Sequence, residues 1–342
     1  MELLNTLYVT TQRAYLHLDH DTVRVEVERK TTLRVPLIHL ESLVCFGDVL
    51  VSTALIHRCG EDGRALVFLD RNGRFKARVT GSISGNVLLR RAQHLALSDP
   101  GKTLTVARNV VAGKVQNARQ VLLRAARECA DGDDTARLRD AVAALSVALE
   151  RLSTANDLDT IRGCEGDAAR VYFDSFDRMV RSDREAFSLI ARTRRPPRNP
   201  LNATLSFLYA LLLGDCVAGL EGVGLDPQVG YLHALRPGRP ALALDLLEEL
   251  RPAIADRLAL TLINRRQLTV KDFETHPGGA VLLGERGRRE VVTAYQKRKQ
   301  EQVRHRVLDR LVPVGLIPHV QARLLARHLR GDLDFYPPFL SR

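Results

Sequence analysis

Near residue 87 the hydrophobic period of this chain changes, and no other feature limits the possible folds as much. Upstream, TVRVEVER (22–29) alternates Val23, Val25 and Val27 with charged residues, the period of two that marks a half-buried strand. RALVFLDRNGRFKARV (64–79) reads as two such runs about Asn72-Gly73, a pair that accepts the positive φ of a tight hairpin turn at little cost. Between strands, STALIHRCGEDG (52–63) reads as one short helix, with Ser52 or Thr53 as N-cap and Gly60 near its end. Downstream the spacing becomes helical. LTVARNVVAGKVQNARQVLLRAARE (104–128) and TARLRDAVAALSVALERL (135–152) are amphipathic helices on either side of a DGDD loop at 131–134, and TIRGCEGDAARVYFDSFDRMV (160–180) is a third. Further helices are expected from Leu201 and over 253–265 and 288–310, while two prolines keep FYPPF (335–339) out of a helix. The expectation is an α+β chain: a small β-rich N-terminal domain over 1–85, then a larger all-α C-terminal domain over 86–342, with the boundary in 82–90.

Charge narrows the partners. The 342 residues carry 51 Lys plus Arg against 40 Asp plus Glu, a formal +11, which favours a polyanion such as nucleic acid or an acidic membrane surface. Arginine predominates, and its planar fork suits phosphate, although a GC-rich genome brings the same bias. The cysteines at 45, 59, 129, 164 and 216 contain no CxxC pair, so neither a disulfide framework nor a zinc cluster is expected, and a reducing cytoplasm is the natural setting. MELLNTLYVTTQ lacks the basic and apolar regions of a signal peptide. LSFLYALLLGDCVAGL (205–220) is interrupted by Asp215 and reads as a buried core helix, with no membrane span expected.

Three stretches bear chemistry. In GYLHALRPGRPALALDLLEELRP (230–252), His233 lies in a Gly/Pro-rich loop ahead of a short helix. On that helix Leu242, Leu246, Leu247 and Leu250 share one side and Asp245, Glu248 and Glu249 the other. Asp245 and Glu248 are three apart, so their carboxylates can converge on one cation; the ordinary alternative is a solvated acidic face. In IRGCEGDAARVYFDSF (161–176), Gly163 and Gly166 flank Glu165 at what reads as a helix start, and Tyr172 follows on the same face. An acidic residue there complements the helix dipole without any function; small neighbours also let a metal and a phosphate approach. In RNPLNATLSFLYALL (198–212), Asn199 reads as a cap with Pro200 behind it, and Asn202 is available to a site residue or a phosphate.

Taken together, E-G-x-A-A-x-x-Y, N-P-x-N-A-x-L-S-F-x-Y, G-L-D-P-x-x-G-Y-L-H and a D-L-x-E helix, in this order and spacing, resemble the CRISPR-associated adaptation integrases, the Cas1 family. The resemblance covers essentially the whole chain, and its length and FYPPF tail are most similar to the branch associated with type I-C systems. It implies that the helical domain is catalytic and places the family's metal-binding residues on Glu165, His233 and Glu248. Asp245 falls on a further acidic position near the metal. Some branches carry Asp where this chain has Glu248, which leaves open which of Asp245, Glu248 and Glu249 reaches the ion; Glu248 is favoured. The resemblance also implies a homodimer formed through the N-terminal domains, a Cas2 partner, and double-stranded DNA substrates, namely a prespacer fragment and the CRISPR repeat.

The residue types suit that chemistry. Two carboxylates and one imidazole with open positions fit Mg²⁺ or Mn²⁺, the nitrogen tilting toward Mn²⁺. Such an ion polarises a phosphodiester oxygen and helps to deprotonate an attacking hydroxyl. With a DNA 3′-hydroxyl as nucleophile the outcome is strand transfer, and with water it is cleavage, as in a repair nuclease. A non-catalytic DNA-binding scaffold would not require all three residues. RTRRPPR (192–198) and GERGRREVVTAYQKRKQEQVRHR (284–306) are candidate phosphate tracks, as are Arg236 and Arg239 near His233.

Overall fold

The computed structural model describes residues 5–71, 75–79, 81, 87–189, 192–193 and 196–341. The chain divides into two compact units, one formed by 1–84 with 285–296, the other by 85–284 with 297–342.

In the first unit, β1 (Asn5–Val9), β2 (Ala14–Asp19), β3 (Thr22–Val27), β4 (Lys30–Pro36), β5 (Leu40–Phe46) and β6 (Val49–Val51) lead to α1 (Thr53–Glu61), β7 (Ala65–Leu69) and β8 (Phe75–Val79). They form two four-stranded sheets, ordered β1-β5-β7-β8 and β4-β3-β2-β6. β5 runs parallel to β1 and β7, and β2 parallel to β6, while β2–β3, β3–β4 and β7–β8 are antiparallel. The alternation read from 22–29 holds at Val23 and Val25, which are buried, and slips at a bulge after Val25. β7 and β8 pair as expected, though the Asn72-Gly73 turn lies outside the described residues. Ser52 caps α1, accepting from the Leu55 N–H. Leu16, Leu43, Leu55, Cys59 and Leu66 fill the core of this unit.

The second unit is mostly helical. α2 (Val87–Leu97), α3 (Pro100–Glu128), α4 (Gly132–Ser153), α5 (Leu158–Asp174), α6 (Pro200–Gly222), α7 (Ala241–Leu250) and α8 (Arg257–Asn264) follow in order. A π-helical turn over Arg251–Asp256 joins α7 to α8. The expectation of an all-α region is corrected by two hairpins: β9 (Phe273–His276) with β10 (Ala280–Leu283), and β11 (Gln302–His305) with β12 (Arg310–Pro313). Between them in sequence α9 (Glu285–Gln300), whose first twelve residues belong to the first unit, ends ten residues short of the expected boundary. The reason is local: Glu301 turns extended, Val303 and Val312 pair across β11 and β12, and Asp309 takes a positive φ in the turn. α10 (Ile317–Leu329) and the proline-broken tail complete the unit.

The DGDD segment is no loop. Asp131 is the N-cap of α4, and Gly132, Asp133 and Asp134 form its first turn, where acidic groups suit the dipole. α6 is capped by Asn199 with Pro200 behind it, as expected. It is long and apolar enough to cross a membrane, but most of its apolar window is buried within the protein, which makes it the core helix of its unit. All five cysteines are free thiols and four are buried.

Candidate functional site

α7 does not have the solvated acidic face that its pattern suggests. Asp245, Glu248 and Glu249 are all buried, and each carboxylate goes to a different task.

Asp245 holds the loop that carries His233. Its Oδ2 accepts the backbone N–H groups of Tyr231 (2.6 Å) and Leu232 (3.0 Å), and its Oδ1 accepts that of His233 (3.0 Å). Oδ1 also lies 2.7 Å from His233 Nδ1. An ionised carboxylate can only accept, so Nδ1 carries the proton and Nε2 presents its lone pair outward. The seat is tight: a Cβ on Gly230 would stand 2.6 Å from the Ala241 carbonyl carbon, so only glycine lets the loop lie this close to the start of α7. Arg162 on α5 donates twice to the Leu232 carbonyl, at 3.0 and 2.9 Å. Asp245, a possible ligand by sequence, thus has both oxygens engaged in orienting the histidine.

Glu248 faces the His233 ring, with Oε1 3.9 Å from Nε2. Glu165 reaches the same place from α5. It sits more than two turns beyond the Asp157 N-cap, so the helix-start explanation for it fails. Between the two carboxylates lies Lys114 of α3, whose ammonium contacts Glu165 Oε1 and stands 2.7 Å from Glu248 Oε2. The second approach is close enough for Coulombic attraction but off-axis, so Glu248 Oε2 is a buried oxygen with no hydrogen-bond partner. Arg251 Nη1 meets Glu248 Oε1 at 2.6 Å. Burial alone would raise the Glu248 carboxyl; Arg251, then Lys114, outweigh it and hold it down at about 2. Arg251 is in turn supported by the Tyr209 ring, 4.8 Å from its guanidinium carbon.

Glu249 is turned away from this cluster. It accepts from Gln321 Nε2 (3.1 Å), the Phe339 N–H (2.9 Å) and the Tyr336 hydroxyl, and burial pushes it up to about 8. Asn117 completes the clamp, donating to the Glu249 and Phe339 carbonyls and accepting from the Ser341 N–H. Gly113 explains how α3 comes this near: a Cβ there would lie 2.6 Å from Pro338 Cβ and 3.1 Å from Glu249 Cβ. Lys114, the next residue, is thereby set beside Glu248.

The structure therefore gathers Glu165, His233 and Glu248, gives Asp245 a supporting part, and separates Glu249. Tyr172 is buried behind the cluster, its hydroxyl donating to Asp256 Oδ2 at 3.0 Å, and Tyr209 donates to Oδ1 at 2.7 Å. Asn202 accepts from Arg192 Nη1 and the Thr193 N–H and so anchors the 192–193 segment. Arg236 is exposed and Arg239 half-buried on the loop after His233. Of the basic segment 192–198, positions 194 and 195 lie outside the described residues. Sequence reasoning missed Lys114, Arg162 and Arg251. Lys114 had one detectable signal, a lone cation on the otherwise apolar VVAGKV stretch.

Residues 7–297 match the family model described as CRISPR associated protein Cas1. A relative from Moorella thermoacetica, CRISPR-associated endonuclease Cas1 1, is 59% identical over 340 residues, 99% of this chain and 99% of the relative. The solved structure of a Cas1 protein from Thermotoga maritima matches with a TM-score of 0.82 at 25% identity, covering 98% of this chain and 99% of that one. The fold also matches a chain of a Cas6-RT-Cas1–Cas2 complex, with a TM-score of 0.83 at 23% identity, over 100% of this chain and 37% of that one.

Proposed function

This chain belongs to the Cas1 family of CRISPR-associated proteins, and from that premise we propose that Glu165, His233 and Glu248 are its catalytic metal ligands. The chain is a DNA endonuclease and integrase of CRISPR adaptation. The observation that carries the site assignment is the convergence of two carboxylates, from α5 and α7, on one cation position beside an imidazole whose Nε2 has been freed by Asp245.

Cas1 endonucleases are metal-dependent, and the donors here fit the hard cations Mg²⁺ or Mn²⁺: two carboxylates, one neutral imidazole nitrogen, and the unpartnered Glu248 Oε2. While the Lys114 ammonium lies between the carboxylates, no three acidic, histidine or cysteine side chains among the described residues stand ready to hold an ion. Ligation therefore requires that ammonium to withdraw. When bound, the ion would polarise a phosphodiester oxygen and lower the pKa of the attacking hydroxyl. The chain's own residues do the remainder. Asp245 fixes the histidine tautomer and ring plane, Arg251 keeps Glu248 ionised, and Gly113 and Gly230 bring three segments to one point. Positioning and charge neutralisation are the enzyme's contribution, with no covalent intermediate. A DNA 3′-hydroxyl as nucleophile joins a fragment into the repeat array, whereas water yields a nick.

The partners in this reading are double-stranded DNA, a Cas2 protein and a second copy of the chain. A formal charge of +11 supports the first. Exposed Leu33, Ile38, Leu50 and Phe75 give the first unit apolar surface for self-association. The cytoplasm, where such DNA resides, is the expected compartment.

The test is a strand-transfer assay with and without Cas2, using a labelled duplex with free 3′-hydroxyls and a repeat-containing target in Mn²⁺ or Mg²⁺. Joined products should require the metal and vanish in Glu165→Ala and His233→Ala. Nicking alone would move the chain toward a repair-type nuclease. Activity persisting in both variants would place the metal elsewhere.

A further inference from the structure

A second cationic feature lies apart from the catalytic cluster, in a cleft of about 170 Å³ lined by Arg257, Arg298, Arg304, Ser341 and an apolar floor that includes Ile254 and Phe339. Its charges do not balance. Arg298 pairs with Glu301 and donates weakly to the Ala253 carbonyl at 3.5 Å, yet its Nε is buried with no hydrogen-bond partner. Arg304, at the exposed edge, pairs with Asp309 at 2.7 Å. Arg257 is half-buried, and among the described residues its guanidinium has no carboxylate within ion-pair reach and no acceptor. Burial, then the like charges of Arg298 and Arg124, draw it down to about 10, with Glu301 and Glu128 opposing weakly.

A buried guanidinium N–H without an acceptor, as at Arg298 Nε, is costly, and the half-buried Arg257 beside it has no counter-charge in ion-pair reach. This arrangement remains compatible with a stable fold if an anion from outside completes the site. Arginine's planar fork is matched to the paired oxygens of a phosphate. The volume is below the roughly 300–1,000 Å³ of pockets that hold whole small molecules. It suits a phosphoryl group and little more, while the apolar floor excludes water and strengthens the attraction.

We propose that this cleft seats one backbone phosphate of a bound DNA strand, held by the Arg257 fork and Arg298 Nε, with Arg304 at its entrance. The inference rests on the reading of the chain as a DNA-acting enzyme. It adds an anchor within the second unit whose residues take no part in the metal site.

The experiment has two arms, with the full chain and Arg257→Met, which keeps the aliphatic stem and removes the charge. In the first, thermal melting is followed in inorganic phosphate and in chloride of equal ionic strength. Phosphate should raise the wild-type midpoint beyond chloride and leave that of Arg257→Met unchanged. In the second, anisotropy of a labelled duplex gives affinity against salt. Arg257→Met should bind about 3- to 10-fold more weakly, and its log–log salt slope should be shallower by about 0.7–0.9, the loss of one phosphate contact. No phosphate-specific stabilisation of the wild type overturns the site without recourse to any variant. Stabilisation with an unchanged salt slope overturns the DNA assignment and leaves a site for free phosphate. Glu165→Ala separates the two readings: it should lose strand transfer yet keep the wild-type salt slope and phosphate response.

Discussion

Lys114→Met is the most informative perturbation of the proposed metal site, because its sign should depend on the metal. In the structure one ammonium, mostly buried, neutralises Glu165 and approaches Glu248, whose side chain is only 4% exposed. Removing one partner of a buried ion pair costs about 3–5 kcal/mol. Here Arg251 still faces Glu248 at 2.6 Å, and Glu165 retains 28% of its side-chain surface in water. The loss should therefore fall to about 2–3 kcal/mol in EDTA. A divalent ion entering the same position replaces the missing charge. An ion at a hundredfold excess over its Kd adds about 2.7 kcal/mol to the folded state. The variant should gain more than the wild type, since no ammonium has to be displaced, so the stability gap should close in Mn²⁺. Urea unfolding followed by circular dichroism, in EDTA and in saturating Mn²⁺, reads the gap directly, and titration calorimetry reads the affinity. A variant as stable as wild type in EDTA would refute the reasoning, as would a gap that Mn²⁺ leaves unchanged or Mn²⁺ binding weaker than wild type.

Other expectations follow from the same geometry. Asp245→Asn puts an amide donor against backbone N–H groups, so it should cost about 2–4 kcal/mol and release the His233 tautomer, visible in imidazole ¹⁵N shifts; an unchanged ring spectrum would remove Asp245 from its supporting role. Gly230→Ala forces its Cβ onto the backbone at Ala241 and should depress strand transfer at least tenfold with global stability affected less; equal loss of both would make the loop merely structural. Asp134 receives Arg184 Nη2 and Arg178 Nη1, each at 2.6 Å. Burial raises its carboxyl, but these arginines prevail and hold it below its ordinary 3.8. Its stabilisation is thus complete above that value and lost as pH falls through the depressed one. Asp134→Asn should lower stability at neutral pH and flatten the acid limb of the stability–pH curve, and an unaltered limb would count against the pair.

The parts of the proposed site that can be picked out in sequence are those fixed by short-range pattern. Glu165, His233 and Glu248 stand in linked motifs, and the change of hydrophobic period marked where strands give way to helices. What could not be read depends on chain crossings. Lys114 meets Glu248 from 134 positions away (248 − 114), and nothing local announces that encounter. A solvated acidic side of α7 stayed open as the ordinary alternative because a helical wheel shows which residues share a side, not what covers it. Here Glu249 is covered by the tail, and Asp245 leans back toward the N-terminal loop, as helical side chains do. The β11–β12 hairpin was hidden because its charge-rich sequence continues the composition of α9, and only Val303 and Val312 carry the change. The participation of 285–296 in the first compact unit likewise follows from tertiary contact, not from pattern.

The clamp at Glu249 and Asn117 also has a consequence in time. A ribosome releases residue 117 and, more than two hundred residues later, the Phe339 and Ser341 groups that satisfy it. At about 5–20 residues per second this interval lasts some tens of seconds or less. During it α3 and α7 lack the last pieces that hold Lys114 and Glu248 face to face. The nascent chain is therefore assembled in an order that leaves the proposed site unfinished until residues 336–341 have emerged.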